Sequence, residues 1–182
     1  MTLKLFKRPL NGSNVHSIGS SSYSILKPSF SRFFEERVQV MSNINQNKAD
    51  IRRLCSEVYN AKHFDAFEEI VAPDFVDSTP LSGMGADAES LKHFLNAVQA
   101  AFPDNHLAIE HVIAEDDKVA VQWTSYNLHT GEPFLNIPAS SNPITITGTT
   151  IYRPVEGQLV EMWHNEDTLG LLQQLGMIPV LS

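Results

Sequence analysis

Apolar residues recur along this chain with two periods, and the change between them divides it. Ile51, Leu54, Cys55, Val58 and Tyr59 keep the spacing of an amphipathic helix that begins near Asn47. Asn60 to His63 breaks that pattern. A second, short helix is expected from Phe64 to Val71, with Phe67, Ile70 and Val71 inward. Ala72-Pro73-Asp74 stops it, and Phe75-Val76 predicts a short extended piece. Ser82 to Gly85 reads as a loop. Asp87 then caps a third helix whose buried face is Leu91, Phe94, Leu95, Val98 and Phe102, closed by Pro103.

Beyond Pro103 the period shortens to that of strands. His106 to Ala114 and Lys118 to His129 are two strands joined by a tight turn at Glu115-Asp116-Asp117. Thr130 to Asn142 is a loop, and Ile144 to Arg153 is a third long strand. Glu156-Gly157 turns into a fourth. Strict alternation from Leu159 puts Leu159, Glu161, Trp163, Asn165 and Asp167 on one face. Val160, Met162, His164 and Glu166 take the other. Leu171, Leu172 and Leu175 then form one face of a last short helix, stopped by Gly176 and Pro179. Helices followed by an antiparallel meander make an α+β layout, with the helices covering one sheet face.

Charge sets one segment apart. Of the 182 residues, 1–40 carry a net +4 and 41–182 a net −12. The first segment is rich in Ser, and its first acid is Glu35. It is expected to stay outside the fold as a disordered extension, either an organelle transit peptide or a misplaced start ahead of Met41. The protein would be mitochondrial or plastid in the first case and cytoplasmic in the second. Residues 41–182 form one domain. So acidic a body argues against nucleic acid and against an anionic membrane as partners. No apolar run has the length of a membrane span. Cys55 is the lone cysteine, and no His-Glu-x-x-His pattern is present, so neither a disulfide nor a metal site is expected. Gly-rich phosphate loops and nucleophile elbows are absent as well.

The candidate chemistry lies where strand gives way to helix. Asp167 follows Trp163 and Asn165 on the same predicted face. A carboxylate beside an aromatic wall can serve as a general acid or base. Asp167 is equally placed to cap the last helix. The second long strand sets Trp123, Asn127 and His129 on one face. If that face lines the same pocket, His129 can partner Asp167, and the Trp and Asn residues can hold a ligand. His129 reads otherwise as a solvent-facing strand end. Asp77, after the short extended piece, can line the pocket mouth or act as a turn residue. His106 and His111, five apart, fall on opposite faces.

Taken in order, several segments resemble the SnoaL-like polyketide cyclases from about Asn47 to Gly176. They are Ala72 to Asp77, Ala101-Phe102-Pro103-Asp104, Asp117 to Trp123, His129-Thr130-Gly131, Phe134 to Pro138, Gly148, Trp163 to Asp167, and Leu169 to Gly176. The resemblance implies a cone-shaped fold like that of nuclear transport factor 2. A curved antiparallel sheet would wrap around helices and leave a deep apolar pocket for a small hydrophobic molecule. It further implies cofactor-free ring closure by intramolecular aldol condensation on a polyketide-type ester. Asp167 matches the family aspartate, His129 matches a histidine near the pocket, and a homodimer is expected. Ser78 departs from the pattern, since relatives often carry His after the Asp at position 77. A binding protein that uses the same pocket without turnover is the alternative.

Overall fold

The structure, a computed structural model, describes residues 26–179. Helix α1 spans Leu26–Arg53 and runs into a π-helical turn, Leu54–Asn60. Helix α2 (Phe64–Ile70) leads into strand β1 (Val71–Asp77), and α3 (Ala88–Ala101) follows. Four long strands come next: β2 (His106–Glu115), β3 (Lys118–Leu128), β4 (Pro143–Val155) and β5 (Gln158–Glu166). Helix α4 (Thr168–Gln174) closes the domain.

The strands form one curved, unclosed sheet in the order β1-β5-β4-β3-β2. Its long strands are antiparallel, as the meander predicts. β1 joins the edge parallel to β5, which alternation along a seven-residue piece could not reveal. The β4–β5 turn has positive φ at both Glu156 (51°) and Gly157 (84°). That twist suits a two-residue hairpin.

The chain divides into two compact units after Val38. In the first, the described residues are helical from Leu26, where disorder is expected from composition. Among residues 32–43 the described side chains are exposed, and basic, Ser-rich composition outweighs the helical spacing of Leu26, Phe30, Phe33, Phe34 and Val38 in the expectation of disorder. Ser20 to Ser22, the centre of the expected extension, lies outside the described residues.

In the second unit the helices lie against one sheet face. Ile51, Leu54, Cys55 and Val58 pack with Phe67, Ile70, Leu91 and Leu95 onto Val119, Val121, Tyr152, Leu159 and Met162. Each large aliphatic side chain so buried contributes about 1.5–3 kcal/mol. A second cluster joins Ala101, Phe102, Phe134, Ile144, Leu171 and Leu175 at the other end of α3.

Two bulges alter which side chains share a face. On β5, Arg153 pairs with Glu161 but Pro154 pairs with Leu159, so Val160 is an extra residue. Leu159 and Met162 therefore both point into the core, at 1% and 4% exposure. On β2, Ile109 pairs with Trp123 and His111 with Gln122, leaving Glu110 extra. His106 and His111 thereby come to the same outward face, not opposite ones.

Cys55 and Tyr152 are buried in this core, and the partly buried Tyr59 packs against it. Burial pushes the Cys55 thiol up to about 12, and it raises the phenols of Tyr59 and Tyr152. Acids with raised folded values stabilise the fold fully below their unfolded values, near 8.5 for Cys and 10 for Tyr. That stability is lost as pH climbs toward the folded values. Denaturant midpoints are therefore expected to hold steady from pH 7 to about 8.5 and fall clearly by pH 10.5. Ellman's reagent at pH 8 should leave Cys55 unlabelled until the protein unfolds. Rapid labelling of native protein would contradict this burial.

Candidate active site

Between the sheet and α3 lies a cavity of about 350 Å³ with a mostly apolar lining. Clean alternation on β3 brings Trp123, Ser125 and Asn127 to it. β4 contributes Thr150 and Tyr152, and β5 contributes Met162, His164 and Glu166. Asp77 lines it from the end of β1. No Lys or Arg is among the lining residues.

Gly148 makes the polar centre possible. It faces Trp123 across the β3–β4 ladder, and a Cβ there would lie 2.2 Å from the indole ring. With only hydrogen at that position, the indole lies across β4. It stacks on the His164 ring of β5 with centroids 5.7 Å apart and planes 14° apart. Its N–H donates to Thr150 Oγ1 at 3.0 Å.

From Thr150 a chain of hydrogen bonds runs outward. Thr150 Oγ1 lies 3.0 Å from His164 Nδ1, and His164 Nε2 lies 3.3 Å from Glu166 Oε2. The indole can only donate, so Thr150 accepts from it. The Glu166 carboxylate can only accept, so in the neutral His164 ring Nε2 is the donor and Nδ1 accepts the Thr150 proton. Tyr152, itself bonded to Tyr59, backs Thr150 from the core. The His164 backbone is clamped by Thr79, whose hydroxyl accepts from its N–H at 2.6 Å and donates to its carbonyl at 3.0 Å. Thr79 N–H in turn donates to Asp77 Oδ1 at 2.9 Å.

The exposures of the His164 and Glu166 side chains, 21% and 12%, leave them reachable from the cavity while mostly shielded from water. Both histidine nitrogens are occupied. The remaining lone pairs of Glu166 are therefore the basic end of the chain. Replacing Thr150 by Val should remove the donor to Nδ1 and leave the Trp123 N–H unpaired. Nitrogen-15 NMR is then expected to show a mixed or inverted His164 tautomer in place of the single Nε2–H form. Identical ring shifts in native and Thr150→Val proteins would refute this orientation.

The structure gathers some of the sequence-predicted residues and separates others. Trp123, Asn127 and Asp77 line the cavity. Trp163 and Asn165 do not. The extra residue at Val160 reverses the alternation counted from Leu159, so both turn to the outer face, where Lys118 lies 5.9 Å over the Trp163 ring. Asp167 is the exposed N-cap of α4, its Oδ1 accepting from Gly170 N–H at 2.9 Å, and it is not among the lining residues. His129, expected at a pocket or in solvent, is fully buried. Its Nε2 donates to the Glu132 carbonyl at 3.1 Å, and its ring packs on Phe102 at 5.0 Å. Neither His129 nor Asp167 touches the cavity, so the two are not paired there.

Parity alone puts His164 and Glu166 on the other face, and nothing in the spacing singles out Thr150. The ambiguous run Leu159-Val160 followed by Met162 is the one local sign that the alternation has slipped.

Known proteins share the sequence pattern and the fold. Residues 49–175 match the family described as SnoaL-like polyketide cyclase. IdmH, a putative polyketide cyclase from Streptomyces antibioticus, superposes with a TM-score of 0.64 at 27% identity, covering 72% of this chain and 99% of that one. A putative SnoaL-like polyketide cyclase from Jannaschia sp. CCS1 gives 0.66 at 25% identity, over 74% and 94% of the two chains. AclR, a putative hydroxylase from Streptomyces galilaeus, gives 0.69 at 22% identity, over 76% and 86%, and shows the shared fold alone. No curated protein matches the chain.

Proposed function

Because the chain belongs to the SnoaL-like polyketide cyclase family, which supports a cyclase-type role, we propose that it closes a ring on a small hydrophobic carbonyl compound by acid–base chemistry. The carrying observation is the His164–Glu166 pair in an otherwise largely apolar cavity. Such a site holds a carboxylate, oriented by a histidine, where an apolar substrate would lie.

Glu166 removes a proton from the carbon next to a carbonyl, as in a polyketide-type ester. The resulting enolate carbon attacks a second carbonyl of the same molecule. One C–C bond forms, and the C=O π pair becomes an alkoxide. The proton held by Glu166 returns to that oxygen. The sequence balances with this single proton and consumes no other reactant. His164 donates to Glu166 throughout and steadies the charge that appears when the proton is handed on. Trp123 supplies a flat wall for a flat substrate.

Flat aromatic β-keto esters in heavy water provide the test. The protein is expected to exchange their α-protons for deuterium faster than buffer does, seen as loss of the proton NMR signal. No exchange with any ester of the panel would overturn the catalytic reading. Native mass spectrometry would then show whether the cavity retains a ligand without turnover.

A further inference from the structure

A second polar group lines the cavity, on strands away from Glu166. Asn127 Nδ2 donates to Ser125 Oγ at 3.1 Å and to the Ile144 carbonyl at 3.5 Å. The Ser125 hydroxyl has two acceptors in reach, Asn105 Oδ1 at 3.0 Å and Asn127 Oδ1 at 3.2 Å, the shorter contact being to Asn105. Ser125 and Asn127 are 8% and 7% exposed. The Asn105 amide sets its oxygen toward Ser125, so its NH₂ points elsewhere. That NH₂ has no acceptor among the described residues, and it is not among the buried unpaired groups. Asn105 itself lines the cavity.

The turn that carries Asn105 is held from several sides. Asn105 N–H donates to the Phe102 carbonyl at 3.0 Å, and Leu128 N–H donates to Asp104 Oδ1 at 2.8 Å. Lys62 Nζ reaches the Pro103 carbonyl. A donor fixed this way loses little freedom when it binds.

We infer that Asn105, backed by Ser125 and Asn127, is a subsite for an acceptor oxygen, a carbonyl or ether, of a neutral ligand. The inference rests on the functional reading above for what happens at the other end of that ligand. Glu166 shares a row with Gly148 and Trp123, and Ser125 lies two residues further along β3. Two strand spacings across and two residues along separate the rows by about 12 Å over the sheet. Trp123 stands between. The ligand class is therefore flat, with an activated C–H at one end and an oxygen at the other. An anionic group is disfavoured, since Asp77 and Glu166 line the cavity and no cation does.

Two probes test the subsite: an aromatic β-keto methyl ester with a ketone on its distal ring, and the same ester with CH₂ in place of that ketone. Calorimetry on the native protein is expected to favour the ketone by roughly tenfold. Asn105→Asp keeps an acceptor for Ser125 and removes both donors. It should cut that preference to about twofold or less while leaving the CH₂ probe within about threefold of its native affinity. In native protein, the Asn105 side-chain NH₂ signals should move with the ketone probe and not with the other. This second readout needs no variant. An equal preference in native and variant proteins, no preference in native protein, or no binding of either probe overturns the subsite. Glu166→Gln should retain the preference. In native protein, a ketone preference without any proton exchange would refute the catalytic reading and leave the subsite standing.

Discussion

Replacing Glu166 by Gln is expected to slow α-proton exchange by roughly 100- to 10,000-fold, the usual contribution of a positioned general base. The fold should survive the change. Gln is nearly isosteric with Glu, and its amide oxygen can still accept from His164 Nε2, 3.3 Å from the carboxylate in the native protein. What Gln cannot do is take a proton from carbon. The control is one residue on. Asp167→Asn keeps the cap, because the Asn oxygen can accept from Gly170 N–H as Asp167 Oδ1 does. Its exchange rate should stay within about threefold of native, since a solvent-facing cap is remote from the chemistry. The two variants measured side by side assign the base. A silent Asp167→Asn protein beside an active Glu166→Gln protein would return that role to Asp167.

The largest effect on stability is expected from Gly131→Ala. A Cβ on Gly131 would lie 1.8 Å from the Ala100 carbonyl oxygen at the end of α3. Backbone on both sides leaves no side chain to swing away. Either the helix end or the 129–142 segment must shift. Such a shift puts at risk the Gly131 N–H bond to Ala101 O (3.0 Å) and the Glu132 N–H bond to Ala100 O (2.8 Å). It also loosens Phe134 from Phe102, whose rings now meet edge-on at 5.2 Å. Overpacking costs about 1–3 kcal/mol and each lost hydrogen bond about 1 kcal/mol, so about 3 kcal/mol in total is expected. For a domain of this size the melting temperature should drop by about 6–12 °C. Gly157→Ala is the contrasting case. Nothing lies within 4 Å of its Cβ, and the expected loss is only the strain of φ +84°, about 1 kcal/mol. Circular dichroism melts compare the two. A Gly131→Ala protein melting within about 2 °C of native would mean that the helix end yields freely, contrary to this account.

Much of this protein is written in local pattern. The helix faces through Leu54, Phe67 and Leu95 follow from spacing, and so do the three strands from His106 to Arg153. On β3, unbroken alternation delivers Trp123 and Asn127 to the cavity as expected. The family, too, was legible in an ordered set of short segments. Asp167 as a cap was legible because capping is itself local: an Asp, then a free N–H three residues on.

The functional face of β5 was another matter. Period two assigns faces only while the partner strand keeps step. One extra residue at Val160 inverts every assignment after it, carrying Trp163 and Asn165 out and His164 and Glu166 in. A bulge belongs to the register between two strands, so neither strand's sequence alone declares it. The same holds for Gly148, whose missing side chain matters only because Trp123 lies across it. It holds for His129 as well, which the 129–142 segment buries against Phe102. From about Asn47 onward, the sequence by itself determined the elements, their order and the family. Only the tertiary structure decided which side chains meet, because meeting depends on register and close approach between segments distant in the chain.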